Sequence, residues 1–100
     1  MIEVKYLEKE QKIIEIECSG HALYDNKGKD IVCSAVSAIM FGGLNALNEK
    51  TIKTCIKKGY VKVDLVDEND AESLIILKTM LVQLMTIADN YKKFVSISKK

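Results

Sequence analysis

The chain has 100 residues, 48% of them hydrophobic and 29% charged. A length of that order fits one domain spanning 1–100, able to bury roughly two-thirds of the surface its unfolded chain exposes without disulfides or structural metal. Fifteen basic residues, all lysine, against fourteen acidic ones leave a net charge of +1. With the signs interleaved and no arginine for bidentate contacts, direct nucleic-acid binding is not expected.

The longest charge-free run, Ile31–Asn48, carries Ser34, Ser37, Gly42, Gly43 and Asn45, too polar to span a bilayer comfortably, so no membrane association is expected. The N-terminus alternates apolar and charged residues rather than following the order of a signal peptide. A cytoplasmic location follows as the expectation, with the three cysteines reduced. No CxxC spacing is present, and an odd cysteine count argues against a disulfide framework.

Ile2–Leu7 alternates, with Ile2, Val4 and Tyr6 on one face and Glu3 and Lys5 on the other. The polar link Glu8–Gln11 leads to a second alternating run, Ile14–Cys18, so the two form a β-hairpin with one buried face. Gly20 closes the second strand. The polar loop 22–29 follows, and its Asp25-Asn26-Lys27-Gly28 core is turn chemistry. Asp30 reads as a helix N-cap. Val32, Val36, Ile39, Met40, Gly43 and Leu47 follow at helical spacing, which extends the helix to about Ile56. Lys57-Lys58-Gly59 reads as its stop, cations at the negative dipole end and a left-handed glycine. Gly42-Gly43 signals either a kink or a close packing contact.

Tyr60–Val66 alternates as a third strand. Asp70 opens a second helix with Leu74, Leu77, Leu81, Leu84, Ala88 and Tyr91 along one stripe, and Phe94–Ser98 is a short last strand. The expected fold is α+β in two layers, a mixed four-stranded sheet with two helices in the order ββαβαβ. Both helices keep more apolar surface than one sheet face covers, Phe41 and Met80 included, so a homodimer is expected.

The one histidine, His21, stands just past a strand end, and Cys33 falls at the third helical position. Free N–H groups and the positive dipole end favour a thiolate there. If the loop folds back, histidine and thiol meet at the top of the sheet. A thiolate could then attack a carbonyl, the imidazole protonate the leaving amine, and first-turn N–H groups receive the oxyanion. Asp30 has two roles open to it, helix cap or third member orienting His21. Ser37 lies one turn beyond Cys33, within reach of the pair or of a substrate. The plainer readings are a buried hydrophobic cysteine and a surface histidine. Zinc held by Cys18, His21, Cys33 and Cys55 has the ligand count but not the paired spacing of structural sites. Neither metal nor cofactor is expected.

Ser19-Gly20-His21-Ala22, the loop end Gly28-Lys29-Asp30-Ile31-Val32-Cys33 and Ala35-Val36-Ser37-Ala38 together resemble the signature of the ribosomal-processing cysteine proteases, the Prp family. The resemblance covers essentially the whole chain, with its specificity between Gly20 and Ser37. It implies a small, dimeric, cytosolic endopeptidase that removes an N-terminal extension from the large-subunit ribosomal protein L-twenty-seven. By position it makes Cys33 the nucleophile, His21 the general base, and Gly20, Asp30 and Ser37 supporting residues. Ser34 stands where the family pattern leads to alanine. The competing reading is a noncatalytic ribosome-associated module using the lysine pairs 57–58, 92–93 and 99–100. A thiol-redox role is disfavoured because no resolving cysteine lies near Cys33.

Overall fold

The two alternating runs at the N-terminus do pair. β1 (Ile2–Lys9) and β2 (Lys12–Gly20) form an antiparallel hairpin closed by Glu10 and Gln11, both at positive φ (52° and 66°) as a two-residue turn of the right twist demands. The computed structural model describes residues 1–26 and 29–100. Beyond the hairpin come α1 (Ile31–Ala46), a 3₁₀ turn (Glu49–Thr51), β3 (Ile52–Lys57), β4 (Tyr60–Leu65), α2 (Ala71–Asn90) and β5 (Val95–Lys99). The strands make one sheet in the order β3-β4-β2-β1-β5. Only the β1–β5 pairing is parallel, so the sheet is mixed, as expected.

It has five strands, not four. The predicted first helix ran on to Ile56, whereas α1 stops at Ala46 and the chain between becomes β3. Leu47, already in extended conformation, caps the helix by donating its N–H to the Gly43 carbonyl. Asn48 then caps the 3₁₀ turn through its side chain. Beyond it, Thr51, Ile52, Thr54 and Ile56 are β-branched, and their stiff side chains favour a pleated strand over a helix. Lys57 pairs with Tyr60, so Lys58-Gly59 is a two-residue hairpin turn and not a helix stop. Gly59 still sits in the left-handed region, φ 68°. The conformation was legible; the element it served was not.

Alternation sorts the sheet into two faces. Val4, Ile16, Cys18, Val61 and Val63 are buried under the helices, while Glu17, Lys62 and Asp64 alternate to the open face. Leu77 and Leu84 of α2 and Val32 and Met40 of α1 are all but fully buried. Each such side chain stabilises by about 1.5–3 kcal/mol, which holds both helices on one face. With 20 residues and a mean hydropathy of 1.5, α2 is long and apolar enough to cross a bilayer, but here it is the core helix of this layer. Its buried Ser73 hydroxyl meets Thr51 Oγ1 at 3.0 Å, tying its first turn to the start of β3.

The two glycines of α1 separate cleanly. A Cβ at Gly43 would run into the Met80 side chain, whereas one at Gly42 would meet nothing within 4 Å. Gly43 is thus the close contact between α1 and α2, and it places Met80 in the core, 2% exposed, not on a free surface. Gly42→Ala is expected to stabilise the protein by about 1 kcal/mol, the helix-propensity gain. Gly43→Ala is expected to cost about 1–3 kcal/mol through overpacking. Urea denaturation of the two variants checks the pair; equal shifts in midpoint would contradict this assignment.

Candidate active site

β2 ends at Gly20, where φ is 92° and a Cβ would strike the Met1 carbonyl. Glycine is therefore required for the chain to leave the sheet at this point. His21 comes next and is exposed; Ala22 turns back into the core, 3% exposed. The turn brings the Ala22 N–H to the sulfur of Cys33, to which it donates at 3.4 Å. His21 and Cys33, which the sequence reading pairs if the loop folds back, both line the same two cavities.

Asp30 is the residue that closes the loop. Its Oδ1 accepts from the N–H groups of Val32 (3.0 Å) and Cys33 (2.9 Å), and its Oδ2 accepts from Tyr24 N–H at 3.0 Å. The Cys33 N–H above all, with Tyr24 assisting, holds the Asp30 carboxyl below the usual aspartate range. Of its two candidate roles, the cap is the one its contacts fill, and both oxygens are engaged by backbone. The N–H groups of Val32 and Cys33, two of the first-turn donors expected to receive an oxyanion, are thus engaged by Asp30, and Ser34 N–H donates to the Asp30 carbonyl at 3.1 Å. The donor that faces the sulfur comes from Ala22 instead.

Tyr24 anchors the near side of the loop, its ring edge-on to Tyr91 and Phe94 at 5.6 and 5.1 Å. Between it and Ala22, Leu23 is 78% exposed and held at φ 57°, a costly backbone for a leucine that buries little. Residues 27 and 28 of the polar loop 22–29 lie outside the described residues.

Two cavities meet at Cys33, His21 and Ser37. One, of about 210 Å³, runs inward past Val36, Met40 and Phe41 to Tyr60 and Val61. The other, of about 520 Å³, is bordered by Leu23, Asp25, Asp30, Ser34 and Lys58. Ser37 thus stands where the sequence put it, beside Cys33. The helix-stop reading of Lys57-Lys58-Gly59 leaves this turn out of the predicted site; a Lys-Gly pair before the alternating run from Tyr60 is the available hairpin signal.

The four possible zinc ligands are not gathered. Cys18 is buried under the helices, where desolvation pushes its thiol up to about 12. Cys55 pairs in register with Lys62 on the opposite face of the sheet. Among the described residues no group of three or more His, Cys, Asp or Glu side chains could hold a metal ion.

Asp30→Asn separates cap from charge. Asparagine keeps one acceptor for Val32 and Cys33 but sets an amide donor against another N–H. Because the folded-state carboxyl lies low, the stability it contributes is present above the unfolded value of about 3.9 and is lost as pH falls through the folded value. The wild type is thus expected to exceed Asp30→Asn in stability at pH 7, with the gap closing toward pH 3 in denaturant titrations. A gap independent of pH would mean that the charge contributes nothing.

Known proteins bear on this cleft directly. Residues 1–96 match the family described as Cysteine protease Prp. The ribosomal processing cysteine protease Prp of Staphylococcus aureus strain Mu50 is 35% identical over 96 residues, covering 91% of each chain. Two crystal structures of the S. aureus protease cover all of this chain and of their own. The complex with a covalently linked product peptide superposes with a TM-score of 0.94 at 33% identity, and the complex with a substrate peptide with 0.87 at 32%. Fold, cleft and sequence therefore agree that this chain belongs to the Prp family of ribosomal-processing cysteine proteases and is a peptide-bond hydrolase of the thiol type.

Proposed function

We propose that this protease trims the N-terminal extension of the large-subunit ribosomal protein L-twenty-seven in the cytoplasm, with Cys33 as nucleophile and His21 as its acid–base partner. The observation that carries the dyad is the Ala22 N–H donated to Cys33 Sγ at 3.4 Å, which ties the histidine's own segment to the sulfur. The Cys33 thiolate attacks the scissile carbonyl carbon, and the C–S bond forms as the carbonyl π electrons move onto oxygen. Ala22 N–H, beside the sulfur, is placed to follow that charge onto the oxyanion. Collapse of the intermediate breaks the C–N bond while the His21 imidazolium gives its proton to the leaving amine. Water, deprotonated by His21, then attacks the thioester; the C–S bond breaks, releasing the carboxylic acid and restoring the thiolate. Gly20 shapes the turn that presents His21, Asp30 holds the loop, and Ser37 borders the bound peptide.

The working unit is a homodimer joined through the helical layer. Phe41, Ile75 and Val82 are 41%, 66% and 53% exposed there, beside a groove floored by Ala38, Gly42 and Ala46. Sedimentation at micromolar concentration is expected to give a dimer that Ile75→Lys dissociates; a strict monomer would remove this claim.

The dyad is tested by incubating the protein with the extended ribosomal protein and weighing the products by mass spectrometry. Cys33→Ala is expected to abolish trimming with the fold intact. His21→Ala is expected to slow it by about 10²–10⁴-fold, with Cys33 still open to alkylation. Trimming by Cys33→Ala would overturn the assignment.

A further inference from the structure

A histidine that moves protons needs its ring held, and a carboxylate on the second ring nitrogen commonly does so. Asp30, the acid that the sequence offers for this role, has both oxygens on the backbone N–H groups of Tyr24, Val32 and Cys33. What lies against the imidazole is the β3–β4 turn. Gly20 N–H donates to the Gly59 carbonyl at 2.9 Å, ending the β2–β4 ladder one residue before His21 and fixing where its side chain begins. Gly59 has φ 68°, and a Cβ added there would stand 3.2 Å from His21 Nε2 and 3.7 Å from Cε1. Relaxed carbon contacts lie at about 3.5–4.0 Å. A side chain at 59 would therefore require the ring to shift by a few tenths of an ångström. On either side of this contact, Lys57 lines the inner cavity and Lys58 the outer one.

We infer that Gly59 is a positioning residue for His21: its bare α-carbon is the surface on which the imidazole rests beside Cys33. The inference builds on the dyad proposed above, since the orientation matters for cleavage only if His21 transfers protons. It assigns Gly59 two separable duties, a left-handed turn and an empty space above it. Asparagine tolerates the turn conformation but fills the space. D-Alanine also fits the turn, and its methyl takes the mirror position, away from the ring.

Both replacements can be installed by chemical synthesis, with ligation at Cys55. Gly59→Asn is expected to lower kcat by about tenfold to a hundredfold with KM little changed, and to shift the ring NMR signals of His21, the one histidine in the chain. D-Alanine at 59 should lower kcat less than Gly59→Asn does and leave the ring signals nearer those of the parent. Parental kcat in Gly59→Asn would overturn the inference, and so would an equal loss with D-alanine, which would reduce Gly59 to a turn residue. The unmodified protein gives a readout independent of folding or activity in the variants. A nuclear Overhauser contact between the His21 ring and the Gly59 α-protons is expected, and its absence would sink the positioning role. Failure of the dyad itself would appear differently, as trimming that survives His21→Ala while that contact persists.

Discussion

Much of the site hangs on one carboxylate. Asp30 gathers three backbone N–H groups, two from the first turn of α1 and one from Tyr24 across the loop. A helix start leaves such donors without partners, and a side-chain acceptor is the nearest remedy. The third contact goes beyond capping, because it closes the loop onto the helix it precedes. Cys33 then stands at a fixed place in the first turn, and Tyr24 at a fixed distance from Tyr91 and Phe94. The cap also removes two N–H groups from the pool that could stabilise charge on sulfur or substrate. The donor on the sulfur is the Ala22 N–H, delivered by the exit from β2.

The three cysteines show that environment, not residue type, decides chemical role. Cys18 lies in the core under the helices, and desolvation opposes its thiolate. Cys55 is on an outer strand facing away from the cleft. Cys33 alone combines partial exposure, a place in the first turn and a donor on its sulfur. Alternation along β2 already assigned Cys18 to the interior, and the Asp30 cap placed Cys33. Cys55 was misplaced with the helix that was read through it.

That error marks where local pattern stops being informative. The 3.6-residue spacing continues past Ala46 in the sequence, and Leu47 fits it as well as Met40 does. The helix ends because Leu47 is capped in extended conformation and Asn48 starts a new turn, while the β-branched residues beyond find a partner strand in β4. Pairing between β3 and β4 is a tertiary gain that periodicity cannot register. By contrast, the Gly20–Ser37 stretch was legible because its constraints are local: a glycine exit, a cap and a first-turn thiol. The contact of Gly59 with His21 joins residues 38 apart in the chain and emerges only when the turn is folded against the end of β2.

The open face of the sheet explains the distribution of the remaining surface. Glu15 lies between Lys62, at 3.4 Å, and Lys100, whose ammonium also reaches Glu17 at 3.4 Å. The Tyr60 hydroxyl donates to Glu17 as well, and that contact pushes the tyrosine up to about 12. Cross-strand charge pairs of this kind contribute only about 0.2–1 kcal/mol each. Their larger consequence is where they leave apolar surface: the sheet face is taken up by charge, and Phe41, Ile75 and Val82 remain on the helical layer. Tyr60 links this network to the site, since it lines the inner cavity while its hydroxyl is held from the other side. The β3–β4 turn that carries Gly59 begins one residue away.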